Sequence, residues 1–257
     1  MNGAAPGDGQ NDEMLTGGNV TPVRRRGDAV LRAAGPWTSS VHSVLAHARL
    51  RGVHGVPEPW GLDAAGEEVL EYLPGTVPTY PMPAWVWDEA ILEQSARWLR
   101  AWHDATADCD PPGAVWRVVA HEPAEVICHN DFAPYNLVFD AASTPPRLTG
   151  VIDFDTMSPG PRLWDIAYLA YRLVPYLDDS GPEQPRPAER GRRLRMLLAA
   201  YGSDHSAADV LACMADRLDE LAAFTDENAA VTGRQDLREH SALYRADAAR
   251  LRSTDGG

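Results

Sequence analysis

One β-rich island constrains the fold of this 257-residue chain most strongly, because it lies between long helical patterns in the C-terminal half. Asp131 and Asn136 precede two strand-length apolar runs, 137–139 and 148–152, and turn formers connect the runs. Pairing of the runs in a hairpin brings Asn136 beside Asp153 at the open end, with Asp131 one loop away. Carboxylate and amide oxygens are the ligands that magnesium prefers in proteins. The sequence therefore predicts a site for Mg²⁺ at this hairpin mouth.

The spacing of these residues is similar to that of a known catalytic loop. His129-x-Asp131, the later Asn136 and the Ile-Asp153 hairpin together resemble the aminoglycoside phosphotransferase and choline kinase-like family of the protein-kinase-like superfamily. The segment that ends in Asp165 matches as well, since a helix-opening Asp packs under the catalytic loop in such proteins. The resemblance covers residues 15 to about 180. It implies a two-lobed α+β fold, with a small mainly-β N-terminal lobe and a larger, mainly helical C-terminal lobe.

The resemblance also implies a role for each residue of the island. Asp131 is expected to orient the acceptor hydroxyl and to take its proton during phosphoryl transfer. Asn136 and Asp153 are expected to hold the Mg²⁺ ions that bridge the phosphates of ATP or GTP. His129 is expected to hold the loop through hydrogen bonds, and Asp155 is a further candidate near the metal.

The nucleotide side matches the related kinases less closely. All 23 basic residues are arginines, so Arg32 stands at the end of the strand where the kinase lysine is expected. The predicted helix 39–51 contains no acid, which predicts that the usual ion pair between strand and helix is missing. Gly18 and Asn19 belong to the one candidate phosphate loop, which lacks the full glycine spacing.

A purine-binding hinge is expected where the two lobes meet. The resemblance places it in a three-residue segment from Glu71 to Leu73, whose backbone groups would meet the purine edge. Pro74 and Gly75 then interrupt regular secondary structure, so a lobe boundary is predicted near residue 75. We expect a disordered tail over 1–13, a nucleotide-binding lobe over 14–75 and a catalytic and acceptor-binding lobe over 76–257.

The predicted elements follow this division. The N-terminal lobe is expected to contain two hairpins and one helix, which Ser39 or Ser40 can cap. In the C-terminal lobe, tryptophans at helical spacing predict one long helix over 84–107. Further helical patterns cover 162–176, 187–201, 206–228 and 235–252.

Charge limits the class of partner. The formal net charge of −14 makes the chain a poor nucleic-acid binder and favours a cationic small molecule, such as an aminoglycoside, as acceptor. Asp216, Asp219 and Glu220 fall on one helix face and are candidates for attracting it. No apolar run approaches membrane-spanning length, and the first residues do not resemble a signal peptide. The expectation is a cytoplasmic protein of unknown oligomeric state.

Two functions remain open at this level. Intact Asp131, Asn136 and Asp153 favour an active kinase that moves the γ-phosphate of ATP or GTP to a small-molecule hydroxyl. The substitution at Arg32 and the missing helix acid favour the alternative, a nucleotide-binding pseudokinase that acts as a regulatory or interaction module. A metallohydrolase ranks last, because His129 and Asp131 have no cluster of further His or Cys ligands at metal spacing.

Overall fold

A computed structural model describes residues 12–15, 23–177 and 181–254 of the chain. The N-terminal lobe is an antiparallel five-stranded sheet in the order β1-β2-β3-β5-β4, with one helix packed on it. Its elements are β1 (Glu13–Leu15), β2 (Val23–Arg26), β3 (Ala29–Ala33), α1 (Thr38–Leu50), β4 (Pro59–Leu62) and β5 (Glu67–Glu71). The two predicted hairpins, the mainly-β character of this lobe and its single helix are confirmed.

The C-terminal lobe is mainly helical, as expected. Its helices are α2 (Glu89–Thr106), α3 (Arg162–Leu173), α4 (Arg190–Tyr201), α5 (Ala207–Thr232) and α6 (Gln235–Thr254). Two small antiparallel sheets lie among them, formed by β6 (Val126–Cys128) with β9 (Ser158–Gly160) and by β7 (Leu137–Asp140) with β8 (Arg147–Val151). The β7–β8 pair is the hairpin predicted from the island.

Two helix starts differ from the prediction. The long helix expected over 84–107 is divided, because Asp88 is extended and its carboxylate caps the Ala90 N–H at 2.9 Å, so that α2 begins after a short 3₁₀ turn. Helix α1 begins at Thr38 without a side-chain cap. The Ser40 hydroxyl, a predicted cap, instead accepts a hydrogen bond from the Val115 N–H of the other lobe at 2.8 Å.

One continuous apolar core holds both lobes together. Val44 and Leu45 of α1 share this core with Ile91, Leu99 and Trp102 of α2, and all five are fully buried. Burial of one such side chain contributes roughly 1.5–3 kcal/mol to folding. Leu137, Phe139 and Val151 of the β7–β8 hairpin belong to the same core, so the packing that fixes the N-terminal lobe also supports this hairpin.

A close backbone approach also ties the loop between α1 and β4 to the hairpin of the other lobe. Gly55 has φ +76°, and its carbonyl accepts a hydrogen bond from the Val151 N–H at 2.8 Å. A Cβ atom at this position would lie 2.4 Å from the Thr149 carbonyl oxygen. Only glycine combines this backbone conformation with this contact.

The predicted bounds of the N-terminal lobe, residues 14 and 75, can be compared with the observed elements. Residues 1–11 of the expected tail lie outside the described residues, whereas Asp12 accepts a hydrogen bond from Arg26 at 2.7 Å and Glu13 begins β1. Strand β5 ends at Glu71 and the next helical turn begins at Ala84, on either side of the predicted boundary. Among the residues that the structure describes, no helix has the length and apolar character needed to cross a membrane.

Candidate active site

The loop between β6 and β7 is held from two sides by buried residues of the helical lobe. Asp165, near the start of α3, accepts hydrogen bonds from the backbone N–H groups of His129 at 2.6 Å and Asn130 at 2.9 Å. Asn130 adopts a left-handed conformation with φ 65°, which asparagine tolerates better than most residues. Arg217 of α5 donates to the Asn130 carbonyl oxygen. Asp165 therefore packs under the loop as the resemblance implied.

His129 connects this loop to the hairpin. Its Nε2 lies 3.1 Å from the Ile152 carbonyl oxygen, and its Nδ1 accepts the Asp131 N–H at 3.2 Å. Since a carbonyl can only accept, Nε2 carries the ring proton. His129 is fully buried and fixes the distance between the loop and the end of β8, in agreement with the structural role expected for it.

The carboxylate of Asp131 is held by two neighbours from its own loop. Tyr135 Oη donates to Oδ1 at 2.7 Å, and Asn136 Nδ2 donates to Oδ2 at 2.9 Å. A 3₁₀ turn over Pro134–Asn136 points both donors back at Asp131. Burial raises the pKa of Asp131, and the charge of Asp153 adds to this, while the Tyr135 hydrogen bond opposes it. Among the described residues no other donor bonds to either oxygen, so each keeps a lone pair with which the carboxylate can accept a proton.

The two predicted metal ligands meet at the hairpin mouth. Leu137 pairs with Val151, and the Ile152 N–H donates to the Asn136 carbonyl at 2.9 Å. Asn136 and Asp153 therefore lie at neighbouring ends of the two paired strands, β7 and β8. The amide nitrogen of Asn136 is occupied by Asp131, which leaves its oxygen for a cation. The Asp153 side chain is 51% exposed, and its backbone is left-handed with φ 64°. Hard oxygen donors of this kind fit Mg²⁺.

Arg32 is a buried residue of the cleft with several acidic partners. Its guanidinium is 10% exposed and donates to Glu68 of the neighbouring strand and to Asp155, and it lies 3.4 Å from Asp153. The usual ion pair between strand and helix is missing, as expected, and the acid that pairs with Arg32 comes from β5 instead of α1. Helix α1 supplies His42 instead, whose Nε2 lies 2.9 Å from Glu68.

Burial and the neighbouring charges act in opposite directions on the pKa values of the acids in this cluster. Burial alone would raise the pKa of Glu68, but the His42 hydrogen bond and the Arg32 charge outweigh burial and lower it. Burial raises the pKa of Asp155, and Arg32 opposes that shift. The cluster therefore holds the Arg32 guanidinium between Glu68 and Asp155, beside Asp153.

The other predicted nucleotide contacts are Glu71 and Leu73 at the hinge and Gly18 and Asn19 in the phosphate loop. The Glu71 carboxylate accepts from Arg49 at 3.1 Å and from the Glu58 N–H at 3.0 Å, so its side chain is committed within the lobe. Leu73 follows β5, and its backbone groups make no hydrogen bond with other described residues, as a purine-binding hinge requires. Gly18 and Asn19 lie outside the described residues. All four remain predicted nucleotide contacts.

The acids predicted to attract a cationic acceptor are already paired. Asp216 and Asp219 contact Arg252 of α6 at 2.9 and 2.7 Å, and Glu220 lies 2.7 Å from His121. These ion pairs tie α5 to α6 and to the loop before β6. They give the three acids a partner within the chain.

Four contributors were not predicted from the sequence, namely Glu68, Tyr135, Tyr168 and Arg217. The spacing between Arg32 and Glu68 depends on strand register, and Arg217 approaches from a distant helix. A signal for Tyr168 exists, because Arg172 lies one helical turn later within an otherwise apolar, buried stretch of α3. A buried charge in such a stretch indicates a polar network.

Comparisons with known proteins identify the family of the chain. A family model described as the phosphotransferase enzyme family matches residues 46–211. The trifolitoxin immunity protein of Rhizobium leguminosarum bv. trifolii is 34% identical over 203 residues, which cover 75% of each chain.

Solved structures share the fold at low identity. A choline/ethanolamine kinase family protein from Mesorhizobium loti aligns with a TM-score of 0.60 and 18% identity, over 94% of this chain and 87% of the other. Spectinomycin phosphotransferase APH(9)-Ia, solved with ADP and spectinomycin, aligns with a TM-score of 0.62 and 9% identity, over 95% and 93%. The match of the family model to more than half of the chain, together with the 34% identical relative, shows that the chain belongs to the phosphotransferase enzyme family.

Proposed function

We propose that the chain transfers the γ-phosphate of ATP or GTP to a hydroxyl of a small-molecule acceptor. The observation that carries the proposal is the convergence of three oxygen-bearing side chains at one hairpin mouth, those of Asp131, Asn136 and Asp153. Structural neighbours solved with GDP or ADP support a nucleoside triphosphate as donor. The expected cytoplasmic location stays a prediction.

The roles of the residues follow from their hydrogen bonds. Asp131 orients the acceptor hydroxyl and takes its proton as the acceptor oxygen bonds to the γ-phosphorus and the bond to the leaving diphosphate breaks. Asn136 and Asp153 would hold Mg²⁺, which neutralises charge on the phosphates when bound. Arg32 contacts the same phosphates from the N-terminal lobe, since its planar fork binds phosphate oxygens well.

Family membership favours the enzyme over the pseudokinase. The loop has every hydrogen bond that a reactive carboxylate needs, and Arg32 is paired and buried rather than displaced. The missing helix acid was one of the two arguments for a pseudokinase, together with the substitution at Arg32. Because Glu68 supplies that charge from β5, the argument no longer holds.

The test is turnover of nucleotide with a panel of hydroxyl compounds. We expect acceptor-dependent release of ADP or GDP in the presence of Mg²⁺, and an acceptor whose mass increases by one phosphoryl group. Aminoglycosides belong in the panel because a neighbour binds kanamycin, and neutral and anionic compounds belong there because the α5 acids are paired. Binding of nucleotide without transfer to any acceptor, at any metal concentration, would support the pseudokinase.

The relative named an immunity protein favours a protective role for the reaction. In this second proposal, the acceptor is a toxin whose hydroxyl is essential for its action, and phosphorylation inactivates it. Expression in a toxin-sensitive host should permit growth at toxin concentrations that stop the parent. The Asp131→Asn variant should not protect, and protection by that variant would point to binding alone.

A further inference from the structure

Arg172 is a buried cation next to the active-site loop, and in the described part of the chain it makes no ion pair. Arg172 lies on α3, and the whole residue is 6% exposed. Its guanidinium carbon lies 5.0 Å from the ring centre of Tyr168, 5.1 Å from that of Tyr171 and 5.5 Å from that of Tyr135. A buried charge without a carboxylate partner is unfavourable for stability. Its position therefore calls for a role besides packing.

A chain of hydrogen bonds leads from this cation to Asp131. Arg172 Nη2 donates to Tyr168 Oη at 2.8 Å, and the hydroxyls of Tyr168 and Tyr135 are 3.0 Å apart. Tyr135 Oη donates to Asp131 Oδ1 at 2.7 Å. Each phenol has one hydroxyl proton to donate. Because Tyr135 donates its hydrogen bond to Asp131, it must accept the hydrogen bond from Tyr168. The direction of every bond is thereby set, from Arg172 to the carboxylate.

We propose that Tyr135 is a positioning residue for Asp131, and that Tyr168 and Arg172 orient its hydroxyl. Tyr135 holds Oδ1 while Asn136 holds Oδ2, so the carboxylate plane cannot rotate and both remaining lone pairs have fixed directions. Bonds within such a chain polarise one another, which strengthens the bond at the charged end. The proposal rests on the proposed function, since Asp131 is the residue that is positioned.

Rate measurements on Tyr135→Phe and Tyr168→Phe test the chain. Phenylalanine keeps the rings, including the packing of Tyr135 against Tyr80 at 6.1 Å. We expect Tyr135→Phe to lower kcat on the order of 10-fold, because hydrogen bonds to charged groups are strong. The KM for nucleotide should stay within about twofold, since the chain does not reach the predicted nucleotide contacts.

The double variant separates a chain from two independent contacts. If Tyr168 acts through Tyr135, the kcat of the double variant should equal that of Tyr135→Phe alone. Two effects that multiply would overturn the role of Tyr168, and a kcat for Tyr135→Phe within about twofold of wild type would overturn that of Tyr135.

Tyr171→Phe is the matched control. Tyr171 packs against the same guanidinium, but its hydroxyl donates to Asp247 at 2.7 Å and has no part in the chain. We expect this variant to lose stability like the others and to keep wild-type kcat. An equal loss of kcat would mean that the cluster acts only by packing.

A crystallographic readout does not depend on a known acceptor. We expect the Asp131 carboxylate to keep its orientation in wild type and in Tyr171→Phe, and to rotate in Tyr135→Phe. An unchanged carboxylate in Tyr135→Phe overturns the inference, even if turnover is never found. Absence of turnover together with a rotated carboxylate would instead count against the proposed function and leave the positioning role supported.

Discussion

Three carboxylates lie within the same cleft, and their surroundings give them different tasks. Asp131 is held by two donors and keeps free lone pairs, whereas Asp153 is half-exposed at the hairpin mouth. Asp155 is 14% exposed and paired with Arg32. At the scale of single residues, hydrogen bonding and exposure rather than residue type would thus separate the proposed proton acceptance by Asp131 and metal binding by Asp153 from the charge pairing of Asp155.

Replacement of Asp131 by Asn should abolish transfer and spare the fold. Loss of a general base commonly lowers the rate about 10²–10⁴-fold. The variant keeps the size of the side chain, so we expect an unchanged affinity for nucleotide with Mg²⁺ by calorimetry. Turnover close to wild type would show that another group accepts the proton.

Asp153→Ala should have a different signature, because a metal ligand is removed. We expect weaker binding of nucleotide in the presence of Mg²⁺ and no change in its absence. Asp140→Ala is the control, since Asp140 lies at the far end of the same hairpin and bonds to Ser143 at 2.7 Å. Equal affinities for the two variants would mean that Asp153 holds no metal.

At the scale of elements, strand register creates the partner of Arg32. Arg32 of β3 and Glu68 of β5 stand directly opposite each other in the antiparallel pair. Adjacent positions of β5 face in opposite directions, so Glu68 is buried while Glu67 pairs with Arg24 near the surface. The two neighbouring glutamates therefore differ in what they contribute.

Glu68→Gln should lower both stability and kcat. Removal of the charge leaves a buried guanidinium with fewer partners, which costs about 1–3 kcal/mol in the free energy of unfolding. The matched variant Glu67→Gln affects a pair that is about 30% exposed and should cost less than about 1 kcal/mol. Urea unfolding and nucleotide turnover measure the two effects, and equal losses for both variants would contradict the assignment.

The packing of α2 on α3 predicts a pH dependence of stability. His103 is fully buried between Tyr201 at 2.7 Å and Asp165 at 3.2 Å, and burial lowers its pKa below the usual 6.5. Below about pH 6.5 the unfolded chain binds a proton that the folded chain does not, so stability falls as the pH falls. His103→Gln should show a weaker fall between about pH 7 and about pH 5. The exposed His205→Gln should keep the wild-type slope.

Local patterns predicted much of the fold and half of the site. The hairpin, the loop residues Asp131 and Asn136 and the start of α3 follow from turn formers, apolar runs and spacing within about 40 residues. Contacts between distant segments could not be predicted in this way. Register pairs Arg32 with Glu68, and helix packing brings Arg217 to the loop, so neither contact is encoded by spacing along the chain.

At the scale of the whole molecule, net charge is a poor guide to the acceptor. The value of −14 already counts the arginines that pair with acids, such as Arg252 with Asp216 and Asp219, and it does not say where the remaining acids lie. Such exposed pairs contribute little to stability, but they reduce the field that a cationic ligand would meet. Charge counting cannot show this, because it does not register which acids of α5 face an arginine of α6.

Binding of nucleotide should stabilise the whole molecule, since the cleft joins both lobes. At about 100 times the Kd, a ligand raises the free energy of unfolding by about 2.7 kcal/mol. For a chain of this length that corresponds to a rise in Tm of about 5–10 °C. We expect this rise for ATP or GTP with Mg²⁺. A Tm that does not change with either nucleotide would contradict nucleotide binding.

The pair formed by Arg32 and Glu68 has a consequence for control. Protein kinases are switched off when the helix that carries the acid swings away from the strand. Here both charges belong to strands that are hydrogen-bonded to each other, so no helix movement can separate them. The pair between Arg32 and Glu68 therefore offers no switch of that kind. For the proposed transfer, control would then rest on the amounts of protein and of acceptor in the cell.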